Sequence, residues 1–337
     1  MIKKSSLALA NTSAVSRILT TLERVDKGGN SLLRVLTYHR VDELDARPNL
    51  SPSLLSATPD DFSLQMHFLA ENYTPISVRH VLEYLETGSA LPSKAVLVTF
   101  DDAYCDFAQH AWGILKQYGI PVTLFVPTAY PDNPNRILWW DKLYFALQKT
   151  ERDEITSPVG IVHLATPKNR RRTFKHLRNH IKSLAHDEAM QLVDELCDQL
   201  QIESSHDNAI LSWASLRQLA AEGVTLGAHT RTHPLLNRIS VDEAEQEAVK
   251  SQQDLQQHIG DTMPIFAYPS GGANEAIAAR LVQAGFKLAF TTERGINDMS
   301  RTNPLLIRRI NVGCSTSVNV MHVQMLSPMV YLNRFWD

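Results

Sequence analysis

The sequence predicts an α/β fold in which parallel strands alternate with helical crossovers. Past residue 30, short apolar runs alternate with amphipathic stretches of ten or more residues; that rhythm implies βαβ units. The number of runs suits a closed barrel better than a short open sheet. A length of 337 residues allows either two domains or one barrel carrying an insertion.

The elements follow in order. Leu33–Tyr38 (LRVLTY) reads as a buried strand. Thr58-Pro59-Asp60-Asp61 starts a helix: a capping hydroxyl, a proline suited to the first turn and two acids that favour the N-terminal end. Ala95–Phe100 (AVLVTF) is a second strand, followed by a helix through Tyr118 that Gly119 ends, and Val122–Val126 is a third strand. Ser212 opens a helix that Gly223 closes ahead of the strand Val224–Ala228. Ser240-Val241-Asp242-Glu243 is a capping box for a helix to about His258. Ile265–Tyr268, the helix Asn274–Ala284, the strand Lys287–Thr291 and a late strand Leu305–Val312 complete the pattern.

Residues of about 131–208 break this rhythm with prolines, a Trp139-Trp140 pair and charged, mainly helical sequence, and read as an insertion into a domain spanning 31–337. Within it, Lys168 to Lys182 carries seven Lys/Arg and no acid. That stretch is either a solvated helix face or a contact for an anionic substrate or a membrane surface.

Composition narrows the function. The chain is 44% hydrophobic and 20% charged with a net charge of −3, so it lacks the global basicity of a nucleic-acid binder. Three cysteines are too few and too odd for a disulfide framework. Residues 1–30 read as an N-terminal extension: the apolar run Leu7–Ala10 is shorter than a signal peptide requires, which leads to the expectation of a cytoplasmic protein.

Two local patterns carry chemistry. Thr99-Phe100-Asp101-Asp102 ends a strongly apolar strand, and strand C-termini line the active-site mouth in parallel α/β folds. Adjacent carboxylates point in different directions, so one can bind a metal while the other holds a water; the competing reading is a helix cap. His229-Thr230-Arg231-Thr232-His233 follows another strand, and its four-residue spacing can bring two imidazoles to one side of a helical turn. With thirteen histidines in the chain the spacing alone is weak. His176 and His180 share it but sit among Lys175 and Arg178, which repel a cation. One Asp and two His make a three-ligand site with open positions, suited to Zn²⁺ or a related divalent ion.

TFDD, then His-Thr-x-Thr-His-Pro, then Phe266-Ala267-Tyr268-Pro269-Ser270-Gly271, in that order, resemble the polysaccharide deacetylase (NodB-homology) family, carbohydrate esterase family 4, over about residues 31–315. The resemblance implies a distorted (β/α)7 barrel, here with a mainly helical insertion, that hydrolyses an acyl group from a carbohydrate. It implies that Asp101 is the catalytic base, that Asp102, His229 and His233 hold the metal, and that the Tyr268-Pro269-Ser270 segment meets substrate, the Ser270 N–H holding the oxyanion.

The chain departs from the family pattern twice. Ala267 stands where many members carry an Arg that orients the catalytic Asp; Arg308 and Arg309 are candidates to replace it, Arg309 being preferred. The late Leu-x-His motif that supplies the acid is not evident, and His322 is isolated. Tyr38-His39-Arg40-Val41 instead resembles a subgroup whose last barrel strand has moved to the N-terminus, which makes His39 the general acid. The expected substrate is an acetylated amino sugar, free or lipid-linked, with peripheral membrane contact through 168–182 in the latter case. Two alternatives stay open: a deformylase of a lipid-linked sugar, and a carbohydrate-binding pseudoenzyme that has lost turnover.

Overall fold

The computed structural model describes residues 30–44, 46–133, 136–202 and 209–329; all but the last residue of the expected N-terminal extension lies outside them. Seven parallel strands close a barrel: β1 (Leu32–Tyr38), β2 (Ala95–Phe100), β3 (Val122–Val126), β4 (Thr225–Ala228), β5 (Ile265–Ala267), β6 (Leu288–Arg294) and β7 (Ile307–Asn311). Around the barrel the order is β1-β2-β3-β4-β5-β6-β7, and closure comes from β1 pairing with both β2 and β7. The N-terminal strand therefore lies between the first and last of the remaining six.

Alternation along each strand divides the side chains. Leu33, Val35, Leu97, Phe125, Ile265, Ala267, Phe290 and Ile307 point inward and form a barrel core with Val78, Val81 and Leu82, which belong to a helix (Val78–Thr87) that closes the N-terminal end. Leu36, Tyr38, Val98, Phe100, Leu124 and Val126 point outward against the surrounding helices. Because successive residues face opposite sides, positions 39, 101, 229 and 309 continue the inward set at the C-terminal rim. Register levels them: Tyr38 lies opposite Phe100, and Val126 opposite Ala228.

The interior is tight. A Cβ on Gly227 would lie 2.5 Å from Phe125 Cε1, so only glycine fits beside that ring. The Phe125 and Phe290 rings meet tilted by 54°, with centroids 5.4 Å apart, across the interior. The β6–β7 register slips between Phe290 and Arg294. This irregularity distorts the barrel and turns the Thr291 and Thr292 carbonyls toward β7, where they accept from Arg309 and Asn311.

The helices that pack outside carry the caps read from the sequence. In α1 (Pro59–Asn72) Thr58 accepts from the Asp61 N–H. After β2 the chain forms a π turn, Phe107–Ala111, before the helix Trp112–Gln117; periodicity alone did not separate the two. The helix Trp213–Ala221 is capped by Ser212, and Val241–Ile259 by the Ser240/Glu243 box. Among the described residues, three helices, Trp139–Lys149, Pro167–Ile181 and His186–Leu200, lie between β3 and the helix Trp213–Ala221, with an antiparallel pair Glu154–Ser157 and Gly160–His163. Among the described residues no helix is long and apolar enough to cross a membrane.

Candidate active site

A cavity of about 380 Å³ opens at the C-terminal mouth of the barrel, and His39, Asp101, Asp102, His229, His233 and Ser270 all line it. Its size falls in the range of small-molecule sites.

Asp101 follows β2 directly, and its N–H bonds the Tyr38 carbonyl at 2.9 Å. Its carboxylate is forked by Arg309, Nη1 to Oδ1 at 2.8 Å and Nη2 to Oδ2 at 2.6 Å. Arg309 is itself fixed by the Thr291 carbonyl at 2.7 Å and is wholly buried. Burial opposes ionisation of Asp101, but the forked Arg309 guanidinium outweighs it and holds the carboxyl below its ordinary range. Arg309 thus stands beside Asp101, where position 267 offers only an alanine. Arg308 points the other way and pairs with Glu293.

Asp102 diverges from Asp101 because the chain turns sharply. Asp102 and Ala103 both adopt positive φ, 72° and 54°, a conformation that non-glycine residues hold only under constraint. Asp102 Oδ1 lies 3.4 Å from His229 Nε2 and 3.2 Å from His233 Nε2. It is buried with no hydrogen-bond donor of its own. One oxygen and two ring nitrogens lie within 4.8 Å of one another, and His229 Nδ1 contacts the Ala267 carbonyl at 2.8 Å. That contact makes Nδ1 the donor and leaves Nε2 a lone pair, as metal ligation requires. Burial raises the Asp102 carboxyl, yet the facing His229 and His233 imidazoles, when protonated, carry it well below the ordinary value. A buried, charged acceptor facing two imidazole nitrogens is a fit for a divalent cation.

The two histidines meet without a helical turn, contrary to the spacing argument. The segment after β4 is a loop in which Thr230 and His233 have positive φ, 61° and 62°. Glu247, on the helix Val241–Ile259, accepts from the Arg231 and Thr232 N–H groups, both at 2.8 Å, and from the Thr232 hydroxyl at 2.9 Å. His233 also meets the Trp140 ring edge-on at 4.9 Å. Trp140 donates to Tyr104, and Tyr104 donates to Asp141, which accepts from Ser51 as well. Burial lifts the Asp141 pKa to about 6.

His39 extends from β1 at the level of Asp101. Its N–H bonds Ser56 Oγ at 3.0 Å, and the next residue, Arg40, is paired with Asp106 at 2.7 Å. Burial lowers the His39 pKa, while Asp102 and Asp101 pull it upward. His322 lies elsewhere, on the helix Val318–Met325, packed on Phe68.

Comparison with known proteins is decisive at this point: the sequence profile of polysaccharide deacetylases matches residues 88–289, well over half of the chain. The chain belongs to the polysaccharide deacetylase family. It is 24% identical over 277 residues to the poly-β-1,6-N-acetyl-D-glucosamine N-deacetylase of Escherichia coli K12, covering 80% of this chain and 35% of that protein. The chain therefore spans about a third of the length of that relative. Among solved structures, the Streptococcus pyogenes deacetylase PplD in complex with acetate superposes with a TM-score of 0.60 at 21% identity, covering 88% of this chain and 99% of that one. IcaB from Ammonifex degensii gives 0.58 at 18% identity, covering 88% and 98%. These likenesses establish the shared barrel.

The remaining expected positions of this family member divide. Ser270 lines the cavity at φ 51°, in a turn that needs Gly271, whose added Cβ would lie 2.0 Å from Thr292 Oγ1. Tyr268 and Pro269 do not line it. The Tyr268 phenol is buried against Phe266 and donates to the Leu305 carbonyl at 2.9 Å, and its N–H bonds Phe290; both groups serve the barrel wall, because alternation turns residue 268 outward from Ala267. The basic stretch also divides. Lys168, Arg171, Arg172 and Lys175 are exposed. Arg170 caps the helix Trp139–Lys149, donating to the Leu147, Gln148 and Thr150 carbonyls. Arg178 and Lys182 line the cavity. Among the described residues, His176 and His180 are not brought together with an acid.

Proposed function

We propose that the chain is a metal-dependent hydrolase that removes an N-acetyl, or another acyl, group from an amino sugar of a polysaccharide or glycolipid. The observation that carries this reading is one cavity in which an Arg-clamped carboxylate, Asp101, adjoins the Asp102-His229-His233 cluster.

A divalent ion, zinc by the chemistry of one carboxylate and two imidazoles, would be held by Asp102, His229 and His233, and when bound it polarises the acyl carbonyl and acidifies water. Asp101 remains ionised beside Arg309 and keeps lone pairs free on its oxygens. It accepts the proton of the attacking water. Arg309 fixes the carboxylate plane so that this proton is met in one orientation. The Ser270 N–H, at the opposing turn, donates to the developing oxyanion. His39 protonates the leaving amine; burial lowers its pKa, and Asp102 and Asp101 offset only part of that. The Ala267 carbonyl holds His229 in the ligating tautomer.

The Arg309–Asp101 pair weighs against a pseudoenzyme, whose support was the lost arginine at 267. The four outward cations Lys168, Arg171, Arg172 and Lys175 support contact of a lipid-linked substrate with an anionic membrane. Zinc-loaded protein incubated with acetylated and formylated amino sugars, free and lipid-linked, tests both points: release of acid from one acyl class supports hydrolysis, and release from none overturns it. Equal rates on free and lipid-linked sugars, with no sedimentation on phosphatidylglycerol vesicles, return the outward cations to solvent.

A further inference from the structure

The cavity has a second polar wall that deacylation leaves unused. Arg178 and Lys182 lie four residues apart, at the end of the helix Pro167–Ile181, and reach into the cavity beside Ser270, with Lys182 Nζ 3.0 Å from Ser270 Oγ. Both are half-buried. Among the described residues neither forms an ion pair with a carboxylate. The Arg178 guanidinium lies 5.9 Å from the Phe174 ring centroid, which orients it without neutralising it. The other basic residues of the helix are solvated or, for Arg170, used in a cap. The two cavity cations are therefore set apart by position from the rest of the basic stretch.

The charge of the site makes their unpaired state informative. Asp101 is already neutralised by Arg309, and Asp102 faces His229 and His233. Among the described residues no carboxylate contacts Arg178 or Lys182 directly; Asp102 acts on Lys182 only through space. Two partly desolvated cations are costly to keep side by side unless an anion joins them. An Arg fork beside a Lys point charge is the arrangement that recognises phosphate or carboxylate.

We propose that Arg178 and Lys182 form a subsite for an anionic group, phosphate or carboxylate, carried by the sugar that enters this cavity. The placement of that sugar's acyl group at Asp101 rests on the hydrolytic reading above; the subsite itself does not. The substrate is then an acidic or phosphorylated amino sugar. The insertion selects it and the barrel rim reacts with it.

Calorimetry on the zinc-loaded full chain with glucose, glucose 6-phosphate and glucuronate tests the subsite, because none of the three carries an acyl group. At least one anionic sugar should bind about tenfold or more tighter than glucose, as two charge-assisted contacts allow; the preferred anion identifies the group. Arg178→Met/Lys182→Met, and the milder Lys182→Gln, should shrink that preference toward one at unchanged zinc content, whereas Lys175→Met should keep it. No preference in the wild type, or a preference that survives the double variant, overturns the proposal. A protein that keeps the preference but releases acid from no acylated sugar refutes the hydrolase reading alone.

Discussion

Arg309 and Asp101 stand 208 residues apart in sequence and form a bidentate pair, at 2.8 and 2.6 Å, inside the barrel mouth. Strand alternation produces the pair, since position 309 is inward on β7 and position 101 is inward at the end of β2. Arg309→Met strands a buried carboxylate, which then protonates at higher pH. The acidic limb of the pH–rate profile should move upward and kcat should fall, while zinc content stays near wild type. Arg309→Lys should recover only part of the loss, because ammonium cannot fork both oxygens. An unchanged acidic limb in Arg309→Met would refute the positioning role.

His229→Ala and His233→Ala should each abolish stoichiometric zinc, measured by elemental analysis. His176→Ala and His180→Ala share the spacing but not the site, and should leave zinc and activity nearly intact. Retention of zinc in the first pair would remove the ligand assignment.

Glu247 reaches the same site indirectly, by tying down the His229–His233 loop through three hydrogen bonds. Glu247→Ala should weaken zinc affinity by about 10–100-fold, the range for lost support of a ligand, with little change in the secondary-structure spectrum. Competition with a chromogenic chelator reads this directly.

The buried Asp141 gives a pH dependence of opposite sign to a salt-bridged carboxylate. Its pKa is raised to about 6 in the folded chain, so the folded state binds its proton more tightly than the unfolded one. Its contribution is fully present below about pH 4 and is lost as pH rises through about 6, roughly 3 kcal/mol in all. Urea unfolding of Asp141→Asn should show a shallower fall in stability between pH 4.5 and 7.5 than the wild type. Parallel curves would contradict this assignment.

His39→Ala should lower kcat with zinc retained and should change the alkaline limb of the profile, where the acid loses its proton. An alkaline limb identical to wild type would leave the leaving-amine proton to another group.

The strands and the chemistry at their ends were readable in sequence because each strand is an apolar run that stops at a polar residue. Asp101, His229 and His39 all follow such runs. Arg309 is preferred over Arg308 in sequence because it precedes the apolar Ile310-Asn311-Val312 end; in the fold, alternation turns it inward and Glu293 takes the outward Arg308. The reading failed where position depends on loops and distant partners. The His229–His233 spacing suggested a helical turn, but two left-handed residues and Glu247 make the loop. The motif containing Tyr268 suggested a substrate contact, but alternation sends its phenol to Leu305. Lys168–Lys182 read as one basic stretch, because nothing local distinguishes the capping Arg170 from the cavity-facing Arg178 and Lys182. Trp140 and Ala267 act on the histidines through an aromatic edge and a main-chain carbonyl, neither of which has a sequence signature.

The central claim is that Asp101 acts on water beside a metal held by Asp102, His229 and His233. Acid release from an acylated amino-sugar oligomer, measured for wild type, Asp101→Asn and Asp102→Asn at known zinc content, tests it most directly. The wild type should release acid, Asp101→Asn should keep its zinc yet lose about 10²–10⁴-fold in turnover, and Asp102→Asn should lose the zinc. Full turnover by Asp101→Asn, or zinc lost from Asp101→Asn and kept by Asp102→Asn, would contradict the account.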